Sequence, residues 1–244
     1  MWTRYRLMSG SAPPIKTVVP QPARTATWGE LLARPDVVER AVCRGRLGIM
    51  AFHGGLEGGT LEIAAAAAGA CGASLYTVEQ PPGLRWHVPS NTVDPGLAPA
   101  LAGWLSHVEV AIALHGYGRI ARPRQLLLGG TNRPLAAVLA RELTDRLAGF
   151  GVINDLSLIP VELRGLHPAN PVNRPPGGGV QLELPPSARG TSPNSDHNPP
   201  LVVDALVAAV RQWEFTERDL PAPGCKGPAG PIISNDTPSG RYDT

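Results

Sequence analysis

The sequence has few of the residues that stabilise small secreted proteins or anchor a chain in a membrane. It contains three cysteines, Cys43, Cys71 and Cys225, and their spacing fits neither a disulfide framework nor a zinc finger. No apolar run approaches the roughly 18 residues of a membrane span. The N-terminus lacks the apolar core of a signal peptide. We therefore expect a cytoplasmic protein without Sec-type export and without a membrane partner, and release by cell lysis is compatible with this.

Charge is also scarce. Only 17% of the residues are charged, the net charge is +2, and nearly all the positive charge is arginine. Without a dense cluster of Lys and Arg, the sequence does not indicate nucleic acid as a partner. The 244 residues, 43% of them hydrophobic, suffice for a large core. We predict an irregular arm over residues 1–25, one domain over 26–217 and a disordered tail over 218–244. The oligomeric state is left open.

Apolar runs alternate with helical patterns along the chain. The stretches "RLGIMAF", "VEVAIALHG", "QLLLGG" and "GGGVQLEL" are typical of strands. The stretches "TLEIAAAAAGACG" and "NRPLAAVLARELTDRLAGFG" are typical of helices. "TWGELLARPDVVERAVCRG" is interpreted as one or two short helices, the first capped by Thr27 with Glu30 three residues later. This alternation predicts an α/β fold with a mixed, largely parallel sheet flanked by helices on both sides.

Groups that bind metals or move protons lie near the ends of three predicted strands. The first strand ends at His53, with Glu57 following in "HGGLEGGT"; the second ends at His115, and the third carries Glu183. Ligands of open α/β sheets gather at the carboxyl ends of strands. Two histidines and one carboxylate leave a zinc position for water, which is typical of a hydrolytic site. We predict zinc on His53, Glu57 and His115, with Glu183 as general base.

Two further features support this arrangement. The glycines around Glu57 permit positive φ angles, so the chain can reverse sharply and turn both ligands towards one ion. Gln181 and Glu183 share one face of their strand. If helices cover both faces of the sheet, that polar face has to point to a cavity or to the end of the strand.

Each of these residues also has a purely structural interpretation. A histidine at a strand end can simply bond to a backbone carbonyl, and Glu183 can be a solvated strand residue. We interpret three other histidines as structural or solvated: His107, His167 and His197. Three arginines follow the His115 strand at the correct end of the sheet to line a cleft, although for each one alone we prefer the interpretation as an ordinary solvated loop charge: Arg119, Arg122 and Arg124.

Three stretches, "FHGGLEGGTLEIA", "LHGY" and "NPVNRPPGGGVQLELPPSAR", closely resemble the poly-γ-glutamate hydrolase family. "RWHVPSNTVDP" is more loosely similar to a family segment that contains His, Ser and Asp. The order and the approximate spacing match over roughly residues 45–215. The resemblance implies a zinc-dependent peptidase of a type that is often phage-encoded, with a zinc carboxypeptidase-like α/β fold.

The resemblance also implies roles for individual residues. His53, Glu57 and His115 match the zinc ligands of the family, and Glu183 matches its catalytic glutamate. One departure concerns the glycine loop, because family members usually have one more residue between the loop histidine and the glutamate. The spacing of Glu57 from His53 is therefore the point at which this sequence differs from the family pattern.

Substrate binding is predicted from the same resemblance. Arg174 matches a position that can meet a substrate carboxylate, and Arg189 is a second candidate; a guanidinium binds a carboxylate in a two-pronged manner. Asn173 either binds the substrate backbone or orients its loop. The implied substrate is an anionic γ-glutamyl polymer or peptide. The alternatives are another zinc amidase or carboxypeptidase, acting on cell-wall or acyl-amino-acid substrates, and a non-catalytic binding protein on the same scaffold.

Overall fold

A computed structural model describes residues 23–119 and 121–219 of the chain. Most of the predicted arm over 1–25 and nearly all of the predicted tail over 218–244 lie outside the described residues. The strands are β1 (Arg24–Thr25), β2 (Val38–Val42), β3 (Leu47–Gly54), β4 (Ser74–Glu79), β5 (Trp86–His87), β6 (Val110–Gly116), β7 (Gln125–Leu128), β8 (Gly151–Ile153) and β9 (Gly179–Leu184). The α-helices are α1 (Trp28–Leu32), α2 (Thr60–Cys71), α3 (Pro99–His107), α4 (Arg133–Arg146) and α5 (Asn198–Asp219).

Seven of the strands form one mixed sheet in the order β2-β4-β3-β6-β9-β7-β8, while β1 and β5 pair separately. Strand β3 runs parallel to β4 and β6, β6 runs parallel to β9, and β7 runs parallel to β8. Only the pairs β2–β4 and β7–β9 are antiparallel within this sheet. The prediction of a mixed, largely parallel sheet is confirmed.

Hydrophobic cores cover both faces of the sheet, which explains the nearly continuous apolar runs of its central strands. On β3, Leu47, Ile49 and Ala51 join a core with buried residues of α2, α4 and α5. Met50 and Phe52 join a second core on the other face, with buried residues of α1 and α3. Helices therefore flank both sides of the sheet, as predicted.

The segment after α1 was wrongly predicted as helical. The capping box is confirmed, because Thr27 Oγ1 accepts a bond from Glu30 N and Glu30 Oε2 accepts one from Thr27 N. The helix nevertheless ends at Leu32, and Val38–Val42 forms β2, antiparallel to β4 at the edge of the sheet. Pro35 interrupts the helical pattern, and the valines that follow favour an extended, half-buried strand.

Helix α5 packs against both α2 and α4 along one face of the sheet. Its buried side chains belong to the same core as those of β3 and β6. None of the helices in residues 23–119 and 121–219 combines the length and the apolar character that crossing a membrane requires.

The arrangement of β3, β6 and β9 positions the site. These three strands are neighbours and run parallel, so their carboxyl ends meet at one edge of the sheet. In the pairing of β6 with β9, His115 lies directly beside Glu183. The strand ends that the sequence analysis singled out are therefore brought together by the topology.

Candidate active site

His53, Glu57 and His115 converge at this edge of the sheet. Each offers one ligand atom, and these atoms all lie within 4.8 Å of one another. Both imidazoles are buried, and their ring centroids are 5.1 Å apart. Across the part of the chain that the structure describes, no other group of three His, Cys, Asp or Glu side chains has this geometry. The predicted convergence of these three residues is therefore present.

The glycine loop turns Glu57 back towards the histidines. Glu57 N donates to the carbonyl oxygen of His53 across 2.9 Å, which closes a tight turn. Gly55 has a φ of 79°, and a Cβ there would lie 2.2 Å from the carbonyl oxygen of Gln80. Only glycine combines this φ with such a close backbone approach. The shortened loop thus still delivers the carboxylate of Glu57 to both imidazoles.

The hydrogen bonds of His53 fix the direction of its lone pair. Its Nε2 lies 2.8 Å from the carbonyl oxygen of Val88, and a carbonyl can only accept, so Nε2 carries a proton. In the neutral ring, Nδ1 then presents a lone pair to Glu57 Oε1 at 3.0 Å. Two acceptors face each other stably only when a proton or a metal cation lies between them. In metal sites, a backbone partner of this kind orients the ligating imidazole.

The carboxylate of Glu57 is held in its ionised form. Burial raises its pKa, but the charges and hydrogen bonds of His53 and His115 outweigh burial and hold the pKa well below its usual range. Gly116 N also donates to Glu57 Oε2 across 2.8 Å. A carboxylate binds a metal ion in its ionised form, so Glu57, between the two imidazoles, is in the state that metal binding requires.

His115 adds the second imidazole. Burial lowers its pKa, yet the hydrogen bond and charge of Glu57 produce a net upward shift of that pKa. Its Nδ1 lies 3.6 Å from Glu57 Oε2, and its buried Nε2 has no hydrogen-bond partner among the described residues. A proton on the His115 imidazole would compete with a metal ion for a ring nitrogen. The donor set of two imidazoles and one carboxylate fits a divalent metal ion with an open coordination position.

Glu183 lies buried beside this set, within a short chain of side-chain amides. Gln181 Nε2 donates to Glu183 Oε1 across 2.8 Å, and Asn170 Nδ2 donates to Gln181 Oε1 across 2.8 Å. Burial raises the pKa of Glu183 to about 7, although His115 and the bond from Gln181 both lower it. A carboxyl that titrates near neutral pH suits a group that both accepts and returns a proton.

A cavity of about 780 Å³ opens over these residues. The metal-ligand set and Glu183 line it, together with His87, Tyr117 and the consecutive residues 161–167. This volume is within the usual range for small-ligand sites. A second cavity, of about 850 Å³, lies at the opposite end of the strands. Its lining contains the ion pair of Arg46 with Glu109 but, among the described residues, no converging group of three His, Cys, Asp or Glu side chains.

His87 and Arg164 are two of the cavity residues that the sequence analysis did not single out. His87 is half-buried, with its ring centroid 5.1 Å from that of His53. Burial lowers the pKa of His87 and the neighbouring His53 lowers it further, although the charge of Glu57 raises it. Its place in "RWHVPS" was the available signal. Arg164 is the other residue, and nothing in its sequence context distinguishes it from a solvated loop arginine.

Arg174 and Asn173 lie in the loop before β9, and neither is among the residues that line the cavity. Arg174 is exposed, and its Nε donates to the carbonyl oxygen of Ala169 across 3.2 Å. Asn173 Oδ1 accepts from Thr131 Oγ1 across 3.0 Å, and its Nδ2 donates to the carbonyl oxygen of Gly165 across 2.7 Å. These contacts support the loop-orienting interpretation of Asn173. Substrate binding by both residues stays a prediction.

Arg189 is buried and bonded to the backbone. Its Nε donates to the carbonyl oxygen of Leu184 across 3.1 Å, and its Nη1 donates to that of Gly58. The guanidinium lies directly against Gly116, where a Cβ would be 2.6 Å from Arg189 Cζ. These contacts join the end of β9 to the loop that carries Glu57. The predicted contact of Arg189 with substrate is not tested by this arrangement and stays a prediction.

Known proteins are similar to this chain in sequence and in fold. SPbeta prophage-derived UPF0714 protein YoqZ of Bacillus subtilis (strain 168) is 34% identical over 142 residues, which are 57% of this chain and 48% of the relative. The match thus spans about half the length of this curated relative. A bacteriophage poly-gamma-glutamate hydrolase structure has a TM-score of 0.63 at 23% identity, over 74% of this chain and 91% of the other. A zinc-free structure of YNDL has a TM-score of 0.59 at 22% identity, over 73% and 91%.

The family match extends over most of the domain. The sequence profile described as Poly-gamma-glutamate hydrolase matches residues 31–192, which include His53, Glu57, His115 and Glu183. The two solved structures share the fold, and the sequence match identifies the family. The resemblance noted from the three sequence motifs is therefore confirmed. The chain belongs to the poly-γ-glutamate hydrolase family.

Proposed function

We propose that this protein is a zinc-dependent hydrolase that cleaves γ-glutamyl amide bonds. The observation that carries the proposal is the pair of facing acceptors, His53 Nδ1 and Glu57 Oε1 at 3.0 Å, beside His115 and the buried Glu183. A proton or a metal cation stabilises this pair, and the family match, which supports hydrolytic chemistry, favours the metal. Imidazole and carboxylate donors suit zinc. We assign zinc binding to His53, Glu57 and His115.

Glu183 carries the proton transfers in this proposal. When bound, zinc lowers the pKa of a coordinated water to about 7 and polarises a carbonyl. Glu183 accepts a proton from the attacking water, whose oxygen forms a bond to the carbonyl carbon of the γ-amide. The carbon–nitrogen bond then breaks, and Glu183 gives the proton to the leaving amine. The bond from Gln181 to Glu183 Oε1 leaves the other carboxylate oxygen for this task.

Metal content and hydrolysis, measured on the same preparations, test the proposal. We expect about one zinc ion per chain and a fall in the viscosity of poly-γ-glutamate or release of amine from γ-glutamyl amides. His53→Ala should lose most of the zinc. Glu183→Gln should keep the zinc and lose about 100-fold or more in turnover. His197→Ala is the matched control, because His197 is exposed and does not line the cavity.

Two outcomes would contradict the proposal in different ways. A protein that binds no zinc and gains nothing when zinc is added would be a non-catalytic member of the family. Hydrolysis of short cell-wall peptides without hydrolysis of any γ-glutamyl substrate would keep the zinc amidase chemistry and remove the proposed bond specificity.

A further inference from the structure

Two buried amide side chains, Asn170 and Gln181, connect the backbone of a loop to Glu183. They are 2% and 4% exposed, and both line the cavity over the candidate metal set. Asn170 Nδ2 donates to Gln181 Oε1, and Gln181 Nε2 donates to Glu183 Oε1, each across 2.8 Å. Buried amides are stable only when donors meet acceptors, so each member of this chain determines the direction of the next.

The loop end of the chain sets the direction of the Asn170 amide. Asn170 precedes the short 3₁₀-helix Pro171–Asn173, and its Oδ1 accepts from Val172 N across 3.3 Å. A backbone N–H can only donate, so the oxygen of Asn170 faces Val172 and its nitrogen faces Gln181. Gln181 therefore has to turn its own oxygen towards Asn170, which leaves its nitrogen for Glu183.

The amide of Gln181 is also constrained by the loop that covers it. Its Nε2 makes a longer bond, of 3.4 Å, to the carbonyl oxygen of Leu163. A flipped amide would place its oxygen against that carbonyl and against the carboxylate of Glu183, and acceptors repel one another there. Gly165 packs so closely on the amide that a Cβ would lie 2.5 Å from Gln181 Oε1. Hydrogen bonds and packing therefore favour one orientation of Gln181.

This orientation makes the two oxygens of Glu183 different. Oε1 meets an N–H of Gln181, and a proton on Oε1 would compete with that N–H for the same position. Oε2 makes no hydrogen bond within residues 23–119 and 121–219. A proton that Glu183 takes up is therefore better accommodated on Oε2 than on Oε1.

We propose that Asn170 and Gln181 are positioning residues, which hold Glu183 Oε1 as an acceptor and leave Oε2 as the oxygen that exchanges the proton. The inference rests on the proposed hydrolase function and specifies how its general base is oriented. Oε2 accepts a proton from the attacking water as the oxygen–carbon bond forms. The same oxygen returns that proton to the amine nitrogen as the carbon–nitrogen bond breaks. The carboxyl group then does not have to exchange its oxygens between the two steps.

Gln181→Met tests the link to Glu183 in the zinc-loaded protein. Methionine keeps the length of the side chain and removes its donor and its acceptor. We expect kcat on poly-γ-glutamate, followed by the release of amines, to fall about tenfold or more. Zinc content and KM should change little, because the lost bond orients a reacting group. Gln125→Met is the matched control and should keep the original kcat, since Gln125 lies in β7 of the same sheet but does not line the cavity.

Asn170→Asp tests the direction of the chain. Aspartate keeps an oxygen for Val172 N but places a second acceptor where Nδ2 was, so the Gln181 amide has to flip and present its oxygen to Glu183. We expect kcat to fall about tenfold. In the Gln181→Met background, Asn170→Asp should cause little further loss, because Asn170 acts through Gln181. A combined loss of about 100-fold, the product of two independent effects, would overturn the inference.

NMR of the side-chain amides separates failure of the inference from failure of the proposed function. The Gln181 amide signals, identified by their loss in Gln181→Met, should shift in zinc-loaded Glu183→Gln and in zinc-loaded Asn170→Asp. If they shift while the original protein hydrolyses no γ-glutamyl bond, the orientation of Glu183 stands and the proposed reaction is wrong. If the protein hydrolyses poly-γ-glutamate and Gln181→Met keeps the original kcat, the reaction stands and the positioning role is overturned.

Discussion

Glu183 lies inside the protein, and burial raises its pKa to about 7 from an ordinary value of 4.5. An acid with a raised pKa binds its proton more tightly in the folded chain than in the unfolded chain. Its contribution to stability is therefore fully present below about pH 4.5 and is lost as the pH rises through about 7. The ionised side chain is the form that the fold accommodates poorly when no metal is bound.

We predict that Glu183→Gln changes the pH dependence of stability in metal-free protein. The neutral amide cannot ionise, so the variant should gain up to about 3 kcal/mol in unfolding free energy over the original protein between about pH 5 and about pH 8. Urea unfolding of both proteins in a chelating buffer measures this difference. Equal pH slopes for the two proteins would mean that Glu183 titrates normally.

Some residues of the site could be predicted from the sequence because their positions depend on local pattern. His53 and His115 end apolar strands, and parallel strands present their ends at one edge. The direction of the His53 side chain could not be predicted in this way. Strict alternation along β3 would place it on the face of the sheet opposite to that of Phe52. The pairing of β3 with β4 shifts register between Ala51 and Gly54, and this irregularity depends on the neighbouring strand.

The roles of the arginines could not be predicted for a related reason. The side chain of a loop arginine is directed by whichever carbonyl or carboxylate lies near it in space. Arg189 bonds to the backbone of Leu184 and to that of Gly58. Gly58 lies 131 residues away from it in the sequence. Arg164 lines the cavity and makes no ion pair among the described residues, which becomes visible only when the whole lining is known.

At the scale of elements, the turn between β3 and α2 is the most constrained connection of the site. Gly55 combines a φ of 79° with a hypothetical Cβ only 2.2 Å from the carbonyl oxygen of Gln80. Gln80 is buried, and its side chain bonds to the backbone of Trp86 at both its amide nitrogen and its amide oxygen. Movement of Gln80 would therefore disturb the strand that carries His87 as well as the loop that carries Glu57.

We predict that Gly55→Ala destabilises the fold by about 3 kcal/mol or more, because a methyl group there overlaps the backbone of Gln80 and the φ is unfavourable. Gly69→Ala is the matched control. Gly69 lies inside α2, a Cβ there meets nothing within 4 Å, and the change should stabilise by about 0.5–1 kcal/mol. Denaturant unfolding of both variants measures the contrast, and a neutral Gly55→Ala would contradict the close approach.

Element prediction succeeded where one strong pattern decided the outcome. Helix α4 follows from its apolar spacing, with Pro134 at its start, and β9 follows from "GGGVQLEL". The misassigned segment Val38–Val42 has alternating, partly exposed residues that fit a helix or an edge strand equally well by composition. Its pairing with β4 is a long-range contact that decides in favour of the strand.

At the scale of the whole molecule, the candidate metal set joins parts of the chain that are distant in sequence. His53 and Glu57 belong to β3 and its loop, His115 belongs to β6, and Arg189 connects the same loop to the end of β9. An ion bound to the set would therefore link β3 and β6 at their carboxyl ends. Such a ligand binds the folded chain far better than the unfolded chain, so its binding free energy adds to the stability of the fold.

We predict that zinc raises the melting temperature of the chelator-treated protein. At a free zinc concentration 100 times the dissociation constant, the added stability is about 2.7 kcal/mol. For a domain of this size, that corresponds to an increase of about 5–10 °C in Tm. Differential scanning calorimetry across a zinc titration measures it, and Tm should keep rising with the logarithm of the zinc concentration above saturation.

His53→Ala and His197→Ala distinguish the proposed set from other sites of zinc binding. The first variant should lose the rise in Tm, because one of three ligands is gone. The second should retain it, because His197 is exposed and lies outside the set. Equal rises in both variants would place the stabilising zinc elsewhere. A rise that is lost in His53→Ala but retained in Glu183→Gln would separate the metal ligands from the proton carrier, since Glu183 is expected to act on water without holding the ion.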